Sequence, residues 1–259
     1  MLKGLYTAYT GLTNEQNRMD IMTNNLANAS TVGFKKEGST SQAFDDILTV
    51  KIKDASVGVN VVERTGVNTP GVKIGENYTD YTQGSFRITD NTYDLALSGE
   101  GFFAVEFTNK AGETSTKYTR AGQFALNKEG YLVTQDGDFV LGANDQRIKL
   151  NTLLDSDITS DGTINQNGVK VAQIKVVDFE DYDYLEKYGE CYYQPVEGAK
   201  VINSEATVNS GCLEMSNVQV VTEMVNMISI TRAYESNQKI MQTYDQSLDI
   251  AVNQLGRIK

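Results

Sequence analysis

Asp178, Glu180, Asp181 and Asp183 crowd four carboxylates into six positions, the nearest thing in the chain to a catalytic constellation. Paired carboxylates can serve as acid and base at a glycosidic bond, provided an apolar pocket keeps one of them protonated. This run is densely charged and reads as an exposed loop, which argues against hydrolysis. Asp155, Asp157 and Asp161 with Gly162 outline a second acidic stretch. Its D-x-D-x-x-x-D-G spacing departs from the EF-hand, and no Glu follows at the twelfth position, so a solvated turn is expected rather than a calcium loop. Gly99-Glu100-Gly101 is not followed by the GK[ST] or GxGxxG pattern of a phosphate loop. Histidine is absent from all 259 residues. That removes the commonest general base, the Ser-His-Asp and Cys-His arrangements, and most transition-metal sites. Cys191 and Cys212 form no CxxC motif and are expected to be small buried residues. No catalytic residue, metal ligand or cofactor site is expected, and no small-molecule substrate.

The formal net charge of −11 argues against nucleic acid as a partner. Its distribution is uneven. Residues 1–30 balance to zero and residues 213–259 to −1, so 31–212 carries −10. Near-neutral ends can pack closely while an acidic middle stays soluble. The ends are therefore the expected assembly surface.

Periodicity supports this. In the last fifth of the chain Val220, Met227, Tyr234, Met241, Leu248 and Leu255 recur every seven residues, with Met224, Ile230, Tyr244 and Val252 in companion rows. That is an apolar seam of coiled-coil type. Ser216 followed by Gln219 suggests a capping box, so a helix is expected from about Asn217, about 55 Å long if it runs to Leu255. The first thirty residues repeat the pattern with Leu5, Leu12, Met19 and Leu26, beside Leu2, Tyr9, Gln16 and Thr23. Gly4 and Gly11 lower helix propensity by about 1 kcal/mol each relative to Ala, so this helix is expected to complete its folding on meeting a partner. Periodicity alone leaves two readings level: a coiled coil closed by the termini, and two ordinary bundle helices.

Between them, Asn24, Asn25, Asn28, Ser30, Thr31 and Gly33 make a polar helix exit, and Phe34 is one apolar anchor before Lys35-Lys36. Ala43, Phe44, Ile47 and Leu48 suggest one or two helical turns. Val57, Val59, Val61 and Val62 suggest a strand, ended by a turn at Asn68-Thr69-Pro70-Gly71. From about 75 to 208 short apolar runs at 85–89, 102–107, 131–134, 139–141 and 171–179 alternate with Gly, Asn and Asp clusters. Tyr182, Tyr184, Tyr188, Tyr192 and Tyr193 belong with this sheet packing. The expected fold class is α+β: long N- and C-terminal helices, pairing as a coiled coil on the first of those two readings, with a central β-rich domain of antiparallel strands. The expected divisions are an N-terminal helix and polar turn (1–38), an extended linker with partial strand (39–75), the β domain (76–212) and the C-terminal helix (213–259).

The stretch NNLANASTVGF at 24–34 resembles the N-terminal signature of bacterial flagellar axial proteins, the rod, hook and hook-associated proteins. LEMSNVQVVTEMVNMISITRAYESNQK at 213–239 resembles their C-terminal signature. GSFRITDNTYDLALSGEGFFAV (84–105), YTRAGQFALNKEGYLVT (118–134) and ITSDGTINQNG (158–168) are similar to basal-body rod proteins of the FlgG/FlgF family. The likeness spans essentially the whole chain in order. It departs mildly at Tyr93, where a smaller or aliphatic residue is more usual, and in the tail 256–259, which slightly overruns the usual end.

The resemblance implies a structural subunit, not an enzyme. Its terminal helices would pair and pack against those of neighbouring subunits as the inner tube of a hollow rod, with the β domain outside. It implies self-association into a helical homopolymer that transmits torque, with other rod and hook proteins and the flagellar type III export apparatus as partners. It implies a place in the envelope-spanning basal body, reached without a cleaved signal; by composition alone the N-terminus, which lacks a secretory signal, would read as cytoplasmic. The distal rod is favoured over the proximal rod. The residues expected at the interface are Leu5, Leu12, Met19, Asn24, Asn25, Leu26 and Asn28 on the first helix. On the second they are Val220, Met224, Met227, Tyr234, Met241, Tyr244, Leu248 and Leu255. Asp94, Leu95, Gly99, Gly101, Phe102 and Phe103 are expected to serve the β domain as core anchors and tight backbone approaches. The alternatives are a hook or hook-associated protein, a secreted carbohydrate-binding β protein, and a cytoplasmic coiled-coil scaffold.

Overall fold

The computed structural model describes residues 2–52, 62–109 and 112–255. The chain divides into two units, one of residues 1–26, 37–80 and 219–259, the other of residues 27–36 and 81–218. The expected divisions cut the chain elsewhere: here 39–75 falls in the unit of the helices, and 27–36 and 213–218 fall in the β unit.

In the first unit, α1 (Leu2–Ala27) and α2 (Val220–Ile250) carry the heptad rows. At 1.5 Å per residue they are about 39 and 46 Å long, and α2 continues into a π-type turn, Ala251–Leu255. The second helix starts later than the capping-box reading expects. Gln219 is its N-cap and makes no side-chain cap bond. Upstream, Asn217 accepts from the Lys36 N–H at 2.8 Å and donates to the Thr82 carbonyl at 3.2 Å, while Ser216 accepts from the Val218 N–H. These bonds keep 216–218 out of the helix.

The rest of this unit is a two-stranded ribbon. β1 (Glu37–Ala43) pairs antiparallel with β4 (Val72–Thr79), and β2 (Ile47–Ile52) with β3 (Val62–Asn68). Ala43 faces Val72 and Ile47 faces Asn68, so one register runs through both pairs, with irregularities at Ser39/Ser41 and Thr49/Val50. Of the helical turns expected around Ala43, Phe44, Ile47 and Leu48, Ala43, Ile47 and Leu48 are strand instead and Phe44 lies in the break between β1 and β2. The Phe44 N–H donates across the ribbon to the Gly71 carbonyl, and cross-strand pairing wins over a short apolar spacing. The turn expected at Asn68–Gly71 does not reverse the chain, since β3 and β4 form one arm. Thr69 bonds Asp46 across the break at 2.6 Å. Of the strand expected at 57–62, Val62 opens β3; the rest lies outside the described residues.

The second unit is built on β7 (Phe102–Thr108). It pairs with β8 (Thr114–Thr119) on one side, and with β11 (Phe139–Val140) and β15 (Val176–Phe179) on the other. From β11 the sheet continues through β10 (Leu132–Thr134) to β9 (Phe124–Leu126); from β8 it continues through β17 (Tyr192–Pro195) to β16 (Leu185–Tyr188). β15 also pairs β18 (Val201–Asn203). Val177 faces Asn203 and Leu185 faces Pro195, so 176–203 is one long hairpin of constant register, bent at the 3₁₀ turn Tyr182–Tyr184. Its lower half flanks β7 and its upper half flanks β8, wrapping that pair. The run 171–179, expected as one strand, is split between β14 (Val169–Gln173) and β15. β14 belongs to a three-stranded sheet with β12 (Ser156–Ile158) and β13 (Thr163–Gln166).

Because strand side chains alternate, β7 serves two cores. Phe103 and Val105 join Leu95, Leu97, Phe124, Leu132 and Ile164; Phe102 and Ala104 join Tyr118, Val177, Phe179 and Tyr193. Two further two-stranded sheets pair β6 (Leu95–Ser98) with β19 (Thr207–Ser210) and β5 (Phe86–Ile88) with β20 (Cys212–Glu214).

Candidate assembly interface

On α2 the covered face follows alternating steps of four and three, Glu223, Met227, Ile230, Tyr234, Asn237, Met241, Tyr244 and Leu248, with Asn226, Thr231 and Ala233 also partly covered. Met227, Tyr234, Met241, Tyr244 and Leu248 of the expected interface lie on this face. Val220 and Met224 do not; they are exposed, as are Val221, Val225 and Ile228. Leu255 ends the π-type turn.

The first helix lies antiparallel beside the second. A Cβ on Gly4 would run into the Tyr244 phenol, and one on Gly11 would stand 3.0 Å from Asn237 Nδ2. Further along, Glu15, Arg18 and Met22 share a hollow of about 220 Å³ with Asn226, Ser229, Ile230 and Ala233. The row that meets α2 is thus Gly4, Gly11, Glu15, Arg18 and Met22. Leu5, Leu12, Met19 and Leu26 lie beside this row, half-buried. The two glycines, read from sequence as weak points of a helix, allow the neighbouring helix to come close. Asn24 is exposed.

Asn25 is buried and holds its own chain. Its Nδ2 donates to the Glu37 carbonyl at 2.7 Å, and its Oδ1 accepts from the Glu37 N–H at 2.9 Å. Within the second unit, Asn28 accepts from the Thr31 hydroxyl at 3.1 Å and Thr31 N–H donates to the Asn28 carbonyl. Asn25 and Asn28, expected at contacts between subunits, make these bonds within one chain.

In the β unit a charge cluster that sequence reasoning missed lies at the centre of the motifs. Glu214 has no exposure; its Oε1 accepts from Lys35 Nζ at 2.7 Å and from the Gly84 N–H at 3.0 Å. Its Oε2 meets Arg120 Nη1 at 3.3 Å. Lys35 Nζ also donates to the Thr82 carbonyl, and Arg120 Nη2 to the Gly99 carbonyl, each at 2.8 Å. Phe102 lies 5.4 Å below the guanidinium. Gly99 and Gly101 have φ of +112° and +140°. Gly101 needs this backbone to pass under Ser204, where any side chain would collide. Asp94 is buried, bonded to Asn91, and its carbonyl accepts from Gly211 and Cys212 N–H groups; Leu95, Phe102 and Phe103 are core.

The acidic run is occupied structurally. Asp178 is buried rather than exposed, and accepts from the Phe179 N–H and the Tyr182 hydroxyl, both at 2.8 Å. Burial, together with this bond, pushes the Tyr182 phenol well above its ordinary pKa. Asp181 caps the 3₁₀ turn and Glu180 pairs with Lys200 at 2.9 Å. Among the described residues no three His, Cys, Asp or Glu side chains gather as a metal site would require.

Cys191 lies half-buried with Sγ 3.5 Å from the Val32 carbonyl, and neither cysteine is in a disulfide. Burial first, then the charge of Glu190, pushes its thiol up to about 11 from 9.0. The raised value stabilises the fold below about pH 9, an effect lost as pH climbs through about 11. Alkylation of Cys191 in a Cys212→Ser variant should therefore rise about tenfold per pH unit between pH 8 and 10. A rate that levels off by pH 9 would contradict this environment.

Sequence comparison gives the class. Three family models match: "Flagella basal body rod protein" over residues 5–35, "Flagellar hook protein FlgE/F/G D1 domain" over 96–171, and "Flagellar basal body rod FlgEFG protein C-terminal" over 209–255. The flagellar basal-body rod protein FlgG of Bacillus subtilis is 34% identical over 98% of this chain and 99% of its own length. FlgF of Caulobacter vibrioides is 35% identical over 96% and 98%. The hook-basal body complex protein FlhO of Bacillus subtilis is 32% identical over the full length of both. The chain belongs to the FlgG/FlgF-type family of flagellar basal-body rod proteins, a structural rather than an enzymatic family.

Proposed function

We propose that this chain is a building block of the flagellar rod that polymerises through α1 and α2 into a hollow helical axle and transmits torque. The observation that carries the reading is the exposed apolar stripe Val221, Val225 and Ile228 on α2. It lies off the face covered within the chain, on the helix that carries the C-terminal family match. The heptad faces of the two helices support a coiled-coil-like seam within each subunit. Heterologous contacts through the remaining faces make an open helix rather than a closed ring. Other rod and hook proteins are the expected neighbours along the axle, and the flagellar type III apparatus is the expected route of export into the envelope-spanning basal body. Within the rod, the distal part is our reading over the proximal.

Deleting the gene should abolish swimming and leave basal bodies that stop within the rod, at a level readable by electron microscopy. Motile cells with complete hooks would refute the assignment.

A further inference from the structure

The β unit is acidic, yet four of its cations gather in one place. Lys128, Arg147, Lys149 and Lys170 line two adjoining hollows of about 470 Å³ each, which share Lys149 and Val171. Glu129 is the single carboxylate among the lining residues. Arg147 is already neutralised by Glu106 through bonds of 2.7 and 2.8 Å. Lys149 stands 5.2 Å from the Tyr131 ring centroid, and Lys170 bonds the neutral Gln173. Among the described residues Lys128, Lys149 and Lys170 have no ion-pair partner, and all three are exposed. Beside them Val169 and Val171 are 65% and 46% exposed. A groove that combines uncompensated cations with exposed valines suits an acidic segment with an apolar body.

The chain carries such a segment. Residues 180–190 include the edge strand β16, and after Glu180 is matched by Lys200 they still hold Asp181, Asp183, Glu186 and Glu190 against Lys187. Tyr184 and Tyr188 in the same segment are exposed. The sheet order runs from β16 through β17, β8, β7, β11 and β10 to β9, and Lys128 follows directly on β9. Edge segment and groove thus belong to opposite ends of one sheet path. We propose that the basic, valine-lipped groove beside β9 and β14 receives the acidic edge segment 180–190 of a second copy of this chain. Such a contact joins unlike surfaces and propagates without closing, and it rests on the assembly reading above.

The test uses cells lacking their own copy and complemented with variants. K128E/K149E/K170E should reduce complete basal bodies about tenfold, and adding D183K/E186K/E190K to the same chain should restore them. Unchanged basal bodies in the triple variant, or a loss that the added reversals fail to restore, would overturn the pairing. Zero-length carbodiimide crosslinking of unmodified basal bodies, built from heavy and light isotopic protein, gives a readout that no folding defect can mimic. It should join a lysine of this set to a carboxylate of 181–190 between copies, and its failure to do so overturns the proposal. V225D/I228D in the same cells separates the two readings. If it blocks assembly while the triple reversal does nothing, the groove inference alone falls. If it builds complete basal bodies, the helix-driven reading falls.

Discussion

Glu214→Ala is expected to cost the β unit about 3–5 kcal/mol, the range for breaking a buried ion pair from one side. The variant removes the Glu214 carboxylate that Lys35 and Arg120, 1% and 2% exposed, share, and leaves the Gly84 N–H without that acceptor. Desolvation makes the loss larger than for a solvent-exposed pair such as Lys200–Glu180, which water screens on every side. The measurement is urea denaturation of the full chain followed by a probe of the β unit, with the slope unchanged and the midpoint lowered. A joint Lys35→Met, Arg120→Met, Glu214→Leu variant should lose less than Glu214→Ala alone, because removing all the charges removes the desolvation cost together with the attraction. A loss below about 1 kcal/mol for Glu214→Ala would mean that water reaches the cluster and that it does not tie the motifs together.

The cluster also shows where sequence reasoning stops. Lys35 follows directly on the stretch 24–34, Arg120 lies in YTRAGQF, Glu214 in LEMSN, Gly84 and Gly99 in the segment 84–105. Each stretch was legible as a family mark. Their convergence was not, because Glu214 meets partners 94 and 179 positions away, and no local period encodes such a pairing. The helices were legible for the opposite reason: a 3–4 repeat is local, and it picked out Met227, Tyr234, Met241 and Leu248 on the covered face of α2. On α1 the same logic chose the leucine row, while the closest approach uses Gly4 and Gly11, whose small size matters only once the partner helix is known. The ribbon of β1 to β4 was misread around 43–48 and 68–71, where short runs carry too few residues to separate a helical spacing from a strand.

Val225→Asp with Ile228→Asp is expected to abolish assembly while leaving the monomer folded. The two side chains are 61% and 54% exposed in the single chain, and with Val221 at 76% they form a stripe at i, i+4 and i+7 on α2. Nothing within the subunit depends on their being apolar, so the far-ultraviolet signal and unfolding midpoint should stay close to those of the unaltered protein. Between subunits the account changes. Covering a valine or isoleucine is worth about 1.5–3 kcal/mol, whereas forcing an unpaired carboxylate into the same contact costs several more. In a helical polymer that penalty recurs at every subunit, so a loss tolerable in one dimer stops elongation altogether. Leu248→Asp, on the covered face, should likewise abolish assembly with the β unit still folded, but it should disturb α2 in the isolated chain as well. The measurement is the number of complete rods per cell by electron microscopy, beside circular dichroism of each purified variant. Normal rods from the double-aspartate chain would show that the stripe faces solvent in the axle and that another surface drives polymerisation. Loss of rods with an intact monomer would place the stripe at the contact between subunits.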